Sequence, residues 1–283
     1  MVRGLSVILF FLLIQPKWSN GQTWAVDVFS GASNYIGDLV QDPYVLNNTR
    51  GAAGIGISYG LTPRLYVKAA IISGKYHAHD EKNRSMALVQ RNLNVHSWIT
   101  ELSTTASYDL LNIERTGITP YIFGGLAFFG FNPYTFDELG AKLFLQPLST
   151  EGQGLSAYPD RKPYRLTQFS IPFGGGIRFR VNEKISLAWE VGLRRTDTDY
   201  LDDVSTTYVD QSILLAERGP RAVAVAFRGD ELKNSTLVYP AGGTVRGSPK
   251  FKDWYYFSGV TARIAIGDID FPGRSATACP TRF

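Results

Sequence analysis

Cysteine is nearly missing from this sequence: Cys279, close to the C-terminus, is the only one. A lone thiol closes no disulfide within its own chain, so any disulfide must be intermolecular, which makes Cys279 a possible partner contact. Histidine is scarce as well, with His77, His79 and His96 making up the whole set. A Ser-His-Asp hydrolase would have to find its base among these three, and no nucleophile elbow frames any serine. No cofactor motif is present, so no cofactor and no catalytic set is expected. After the N-terminal segment no window holds about eighteen consecutive apolar residues, the length a spanning helix needs, so a helical membrane protein is excluded. Basic residues do not concentrate either: the net charge of +4 is spread along the chain, without the basic stripe that nucleic acid requires.

What is present begins with an export signal. Arg3 supplies the charge, Leu5 to Ile14 form an apolar run, and Ser19-Asn20-Gly21 provides small residues before Gln22. This reads as a secretory signal peptide over 1–21, too short to span as a helix, with no cysteine at the junction for a lipid. Its removal takes away Arg3 and Lys17 and lowers the net charge from +4 to +2.

The chain as a whole is rich in glycine, 28 residues, and in aromatics, 13%, a composition that favours strands and aromatic girdles over helices. Period-2 alternation places about eight strands near 23–31, 51–60, 64–74, 93–110, 118–131, 165–180, 185–196 and 253–266. Short connections, Leu61-Thr62-Pro63, Asn112 to Gly117 and Asn182-Glu183-Lys184, alternate with long ones near 32–50, 75–92, 132–164 and 197–252. Such alternation is the signature of an outer-membrane barrel with tight periplasmic turns and long outer loops. The expected fold is therefore an all-β transmembrane antiparallel up-and-down barrel over 22–266. Both chain ends then lie in the periplasm, and an irregular tail over 267–283 extends from the barrel.

The face pattern agrees. Phe169, Ile171, Phe173, Ile177 and Phe179 alternate with Ser170, Pro172, Gly174, Gly176, Arg178 and Arg180. Leu187, Trp189, Val191 and Leu193 alternate with Ala188, Glu190, Gly192 and Arg194. One face suits outer-membrane lipid and the other a lumen. Trp24, Trp98, Trp254, Tyr59 and Tyr108 fall near strand ends, where an interfacial belt would anchor. A soluble lipocalin-like barrel would also alternate, but would seldom need this many aromatics there.

The expected lumen carries Asp27, Lys68, Glu101, Arg178, Arg180, Glu190, Arg194 and Arg263. A barrel of about eight strands has an interior just wide enough for side chains to fill, and buried charges must pair. An internal salt-bridge plug is expected over a conducting or ligand-binding lumen. His77-Ala78-His79 could present two imidazoles to a metal, but with no third ligand in sight a solvated loop is the stronger expectation. The acidic run from Asp197 to Asp203 lacks the order of a calcium loop, and Asx turns with pairing to Arg194 or Arg195 account for it better.

Three stretches carry a family resemblance: Ser33-Asn34-Tyr35-Ile36-Gly37-Asp38-Leu39, Phe131-Asn132-Pro133, and Asp199-Tyr200-Leu201-Asp202-Asp203-Val204-Ser205-Thr206-Thr207-Tyr208. Together they resemble the Bacteroidota outer-membrane barrels of the PorG type, part of the type IX secretion system. The resemblance implies a non-enzymatic component that ties a periplasmic ring, made of a lipoprotein and its ring partner (PorK- and PorN-like), to the outer membrane. Related barrels without a known secretion role share these runs, so they mark a family more sharply than a task. The rival functions are a small OmpW-like passive channel or lipophile carrier and, last, a lipid-acting barrel enzyme with His96 as its strand-borne base.

Overall fold

The computed structural model describes residues 24–40, 49–83 and 85–267. The expected signal peptide, the tail from residue 268 and Cys279 lie outside the described residues.

Eight long strands form the wall: β1 (Trp24–Ile36), β2 (Arg50–Gly60), β3 (Leu65–His79), β4 (Asn94–Asp109), β5 (Ile118–Phe131), β8 (Thr167–Arg180), β9 (Ile185–Thr196) and β10 (Trp254–Gly267). Each pairs antiparallel with the next, and β10 returns to β1, so the sheet closes on itself. Two short strands, β6 (Tyr134–Phe136) and β7 (Lys142–Phe144), make a hairpin attached to the wall where Tyr134 pairs with His96. Closure leaves no strand edge unpaired in the wall, which is what lets a β structure sit in hydrocarbon.

Tight connections cluster at one end. At 61–64 the Thr62 hydroxyl accepts from the Arg64 and Leu65 amides. A single helical turn, α2 (Ile113–Thr116), is capped by Asn112 and stopped at Gly117, whose φ of 74° favours glycine. At 181–184 the Asn182 side chain accepts from the Lys184 and Ile185 amides. Trp24 pairs with Gly267 at this same end, so the first and last wall strands begin and finish there.

The outer face of the wall is apolar and uncovered. Ile55, Leu126, Ile122 and Trp189 are more than half exposed. In water such a band would forfeit about 25 cal/mol for each Å² left uncovered; lipid removes that cost. Trp24 packs on Tyr59 at 4.8 Å near the turn end. Near the opposite end Lys75 lies 4.4 Å over the Trp98 ring.

The strand limits differ from expectation at the loop end. β1 continues to Ile36 and β3 to His79, so 32–36 and 75–79 are wall, with Ile36 pairing Trp254 and His79 pairing Asn94. Above the belt the outward positions no longer face lipid, so Lys75, His77 and His79 break the apolar alternation while the backbone ladder runs on.

Candidate functional site

Inside the barrel, inward positions on facing strands bring opposite charges together in tiers. Nearest the turn end Arg178 pairs with Asp109 and lies over the Tyr121 ring at 4.4 Å. Arg263 pairs with Asp27 at 3.0 Å and covers Tyr66 at 4.6 Å. One tier up, Glu190 accepts from the Tyr121 hydroxyl and faces Lys68 at 3.7 Å. Highest, Glu101 accepts from Arg194 through both oxygens, at 2.8 and 3.2 Å, and from the Tyr255 hydroxyl at 2.9 Å.

Seven of the eight expected lumen residues take part. Arg180 does not: it is exposed at the turn-end rim, one inward step past Arg178, and its guanidinium reaches only the Glu114 carbonyl. Its place in the charge balance belongs to Asp109, fully buried and overlooked in the sequence because a polar residue at a strand end reads as turn. Counting inward positions from Glu101 by twos reaches Asp109 and would have found it.

Above Arg194 the lumen is apolar. Phe29, Phe129, Phe131, Tyr255 and Phe257 are buried in one cluster that continues through Tyr35 and Tyr76 into Leu39, Leu201, Val204 and Val225 of the loops. One step below Arg194, Gly192 leaves room for its neighbours: a Cβ there would collide with the Arg194 guanidinium and lie 2.7 Å from the Phe123 ring. The space among the lower charge tiers amounts to about 10 Å³, roughly one water, and a wider one of about 130 Å³ lies at the turn end beside Tyr66, Arg178 and Arg263.

The long connections fold over this end as a cap. Helices α3 (Gln211–Arg218) and α4 (Pro220–Ala226) pack through Leu214, Ala222 and Ala226 onto Leu155 and Val209. The 199–208 run is its keystone. Asp202 accepts from the Tyr35 hydroxyl and from the Leu39 and Val204 amides, and Asp253 accepts from the Leu201 amide at 2.8 Å. Arg246 bridges Glu151 at 3.0 Å and the Asp203 carbonyl at 2.6 Å. The Asx contact from Asp202 to Val204 follows expectation, but the arginine serving the run is Arg246, because Arg194 is committed to Glu101 and Arg195 is exposed. Helix α1 (Met86–Arg91) adds a second fixed guanidinium, Arg91, bidentate on Asp80 at 2.6 and 2.7 Å.

Burial pushes the cap carboxyls up. Asp38 rises to about 6 by desolvation, opposed by the Ser248 amide it accepts from and reinforced by Asp199. Asp203 rises to about 6 for the same reason, against the pull of Arg246. Asp202 and Asp253 stand well above the usual carboxylate range through desolvation, with repulsion from Asp38 on Asp202 and from Asp202 on Asp253.

All three histidines meet on the outer wall above Trp98, with ring centroids 5.2 to 5.8 Å apart. His77 and His79 are therefore strand residues instead of a solvated loop, and His96 is not the only strand-borne imidazole. Among the described residues no three histidine, cysteine or carboxylate side chains are placed to hold a metal. His96 instead lies against Tyr134 and Phe136 of the β6–β7 hairpin, at 5.6 and 5.4 Å.

Residues 3–142 match the family model described as a domain of unknown function, DUF6089. No protein of curated function matches. Among solved structures the chain is similar to Neisserial surface protein A, at 10% identity and a TM-score of 0.43, over 86% of this chain and 98% of that one. It is similar to Ail, the attachment invasion locus protein of Yersinia pestis, at 10% identity and a TM-score of 0.37, over 87% and 99%. It is also similar to the outer membrane protein OprG of Pseudomonas aeruginosa, at 8% identity and a TM-score of 0.35, over 86% and 97%.

Proposed function

We propose that this chain, which carries the DUF6089 match in residues 3–142 and folds as a closed eight-stranded barrel, is a non-enzymatic outer-membrane protein. In this reading it anchors a periplasmic ring complex, a lipoprotein and its ring partner, as part of a type IX secretion machine. The observation that carries the reading is the filled lumen: an aromatic core continuous with the cap lies above paired charges, so the molecule acts through its surfaces and not through a pore.

The orientation follows the usual barrel rule of short turns inside and long connections outside. The turns at 61–64, 110–117 and 181–184, and the tail that follows Gly267, then face the periplasm, where the partner is. The exposed apolar wall supports a place in outer-membrane lipid. The runs that resemble PorG-type barrels meet one another, Tyr35 and Leu39 binding Asp202. Their shared task is building the cap, which explains why they mark a family better than a job.

Affinity purification of the tagged protein from gently solubilised outer membranes tests the reading, on reducing and non-reducing gels with a Cys279→Ser control. Recovery of a periplasmic lipoprotein complex is expected, and a band lost in the variant would place the contact on the tail through a disulfide. Deleting the gene should strand exported cargo in the periplasm; normal secretion in the deletion strain would sink the secretion role.

A further inference from the structure

At the loop end, a cleft of about 270 Å³ opens beside the cap, between the segment leading into β8 and the 197–205 run. That is just under the roughly 300 Å³ at which pockets for drug-sized ligands begin, room for one small ring. Its wall is chemically mixed. Arg165 and Lys252 face Asp197 and Asp199 across it, so its four charges balance. Tyr200 lines it as the outermost ring of a stack: Phe131 on Tyr164 at 6.1 Å and 8°, and Tyr164 on Tyr200 at 4.8 Å and 8°. The stack is held from below by the Tyr164 hydroxyl, which donates to Asp203 at 2.7 Å.

One group in this wall is unsatisfied. Asp199 is 2% exposed; its Oδ2 accepts from the Ser205 hydroxyl at 2.6 Å, and its Oδ1 has no hydrogen-bond partner in the protein. A buried acceptor left without a donor carries an unpaid desolvation cost, which a bound donor would relieve. Burial also raises the Asp199 carboxyl above its ordinary range. A ligand suited to this wall is uncharged, carries hydroxyl donors for Asp199 and Asp197, acceptors for Lys252 and Arg165, and an apolar face for Tyr200. Those are the properties of a pyranose ring. A strong anion would meet Asp197 and Asp199, and a cation would meet Lys252 and Arg165.

We propose that the cleft between Tyr200, Asp199, Asp197, Lys252 and Arg165 is a binding site for a single neutral sugar residue. Gln168 of the cleft is the second residue of β8, next to Phe169 of the exposed apolar wall, so the cleft lies at the upper edge of that band. The sugar is therefore either free or the headgroup of a glycolipid, and the chemistry of recognition is the same.

Saturation-transfer NMR on the purified barrel in detergent, with glucose, galactose, mannose and N-acetylglucosamine as probes, tests the site. Transfer to at least one sugar is expected, falling at least five-fold in Lys252→Ala and in Asp197→Asn. Both side chains are exposed and outside the cap core, so amide exchange across the cap should be unchanged in both variants. Vesicles with and without a glycolipid bearing the responding sugar separate the sources: competition by the glycolipid vesicles alone points to a headgroup, and its absence to free sugar. The proposal is overturned if no probe shows transfer, or if transfer survives both substitutions. Neither result bears on the anchoring role, which the co-purification decides.

Discussion

At the scale of single residues, the most consequential side chains are the ones that bury charge. Arg194 is fully enclosed, meets Glu101 through two hydrogen bonds, and has the Phe257 ring at 4.6 Å. Removing one member of such a pair strands the other in a medium that cannot solvate it, at a cost of about 3–5 kcal/mol. Glu101→Leu should therefore lower stability to urea in lipid vesicles by that amount, followed through tryptophan fluorescence. The double variant Glu101→Leu/Arg194→Met should regain most of it, because two apolar residues replace the pair without leaving a charge behind. If the double variant were as unstable as the single one, the loss would belong to packing and not to the stranded guanidinium.

At the scale of elements, the cap is a folded unit with its own electrostatics. Asp38 and Asp203 stand at about 6 against an ordinary 3.8. The folded cap thus holds their protons more tightly than the unfolded chain. The stability these groups contribute is fully present below about pH 4 and is lost as pH rises through about 6. Amide exchange over 37–40 and 199–205, corrected for its intrinsic pH dependence, should show more protection at pH 5 than at pH 8. Greater protection at pH 8 would contradict the buried-carboxyl account. Arg246 is the opposing element. Arg246→Met leaves Glu151 and Asp203 uncompensated, so cap protection should fall at neutral pH while the barrel keeps its resistance to detergent on unheated gels. Loss of that resistance would show that cap and wall fold as one unit.

At the scale of the whole molecule, wall and filling serve different solvents. The wall presents an apolar band outward, and the interior is closed by paired charges below and stacked aromatics above. Reconstituted in a planar bilayer, the protein should show no steady conductance above the empty membrane. Steady conductance would favour the passive-channel reading over the anchor and would require the aromatic layer around Phe129 and Phe257 to open.

The strand count, the up-and-down order and the facing of the last strands were legible in the sequence, because a lipid-facing wall imposes period 2 wherever it touches hydrocarbon, whereas glycines such as Gly54, Gly56, Gly124 and Gly125 left the faces of 51–60 and 118–131 unread. Phe169 to Phe179 and Leu187 to Leu193 show it plainly. The lumen charges could be named for the same reason, as inward positions of those strands. Partner choice could not: that Arg194 meets Glu101, 93 positions away, and Arg178 meets Asp109, 69 away, depends on which strands face each other across a closed barrel. The upper ends of β1 and β3 were hidden because lipid no longer sets their pattern above the belt. The cap was hidden altogether, since loops carry no period and their order comes from long-range contacts such as Tyr35 to Asp202 and Arg246 to Glu151. Alternation thus determined the wall from the sequence alone, whereas only the tertiary structure decided which lumen charges pair and that three distant histidines share one face, because both depend on which strands closure makes neighbours.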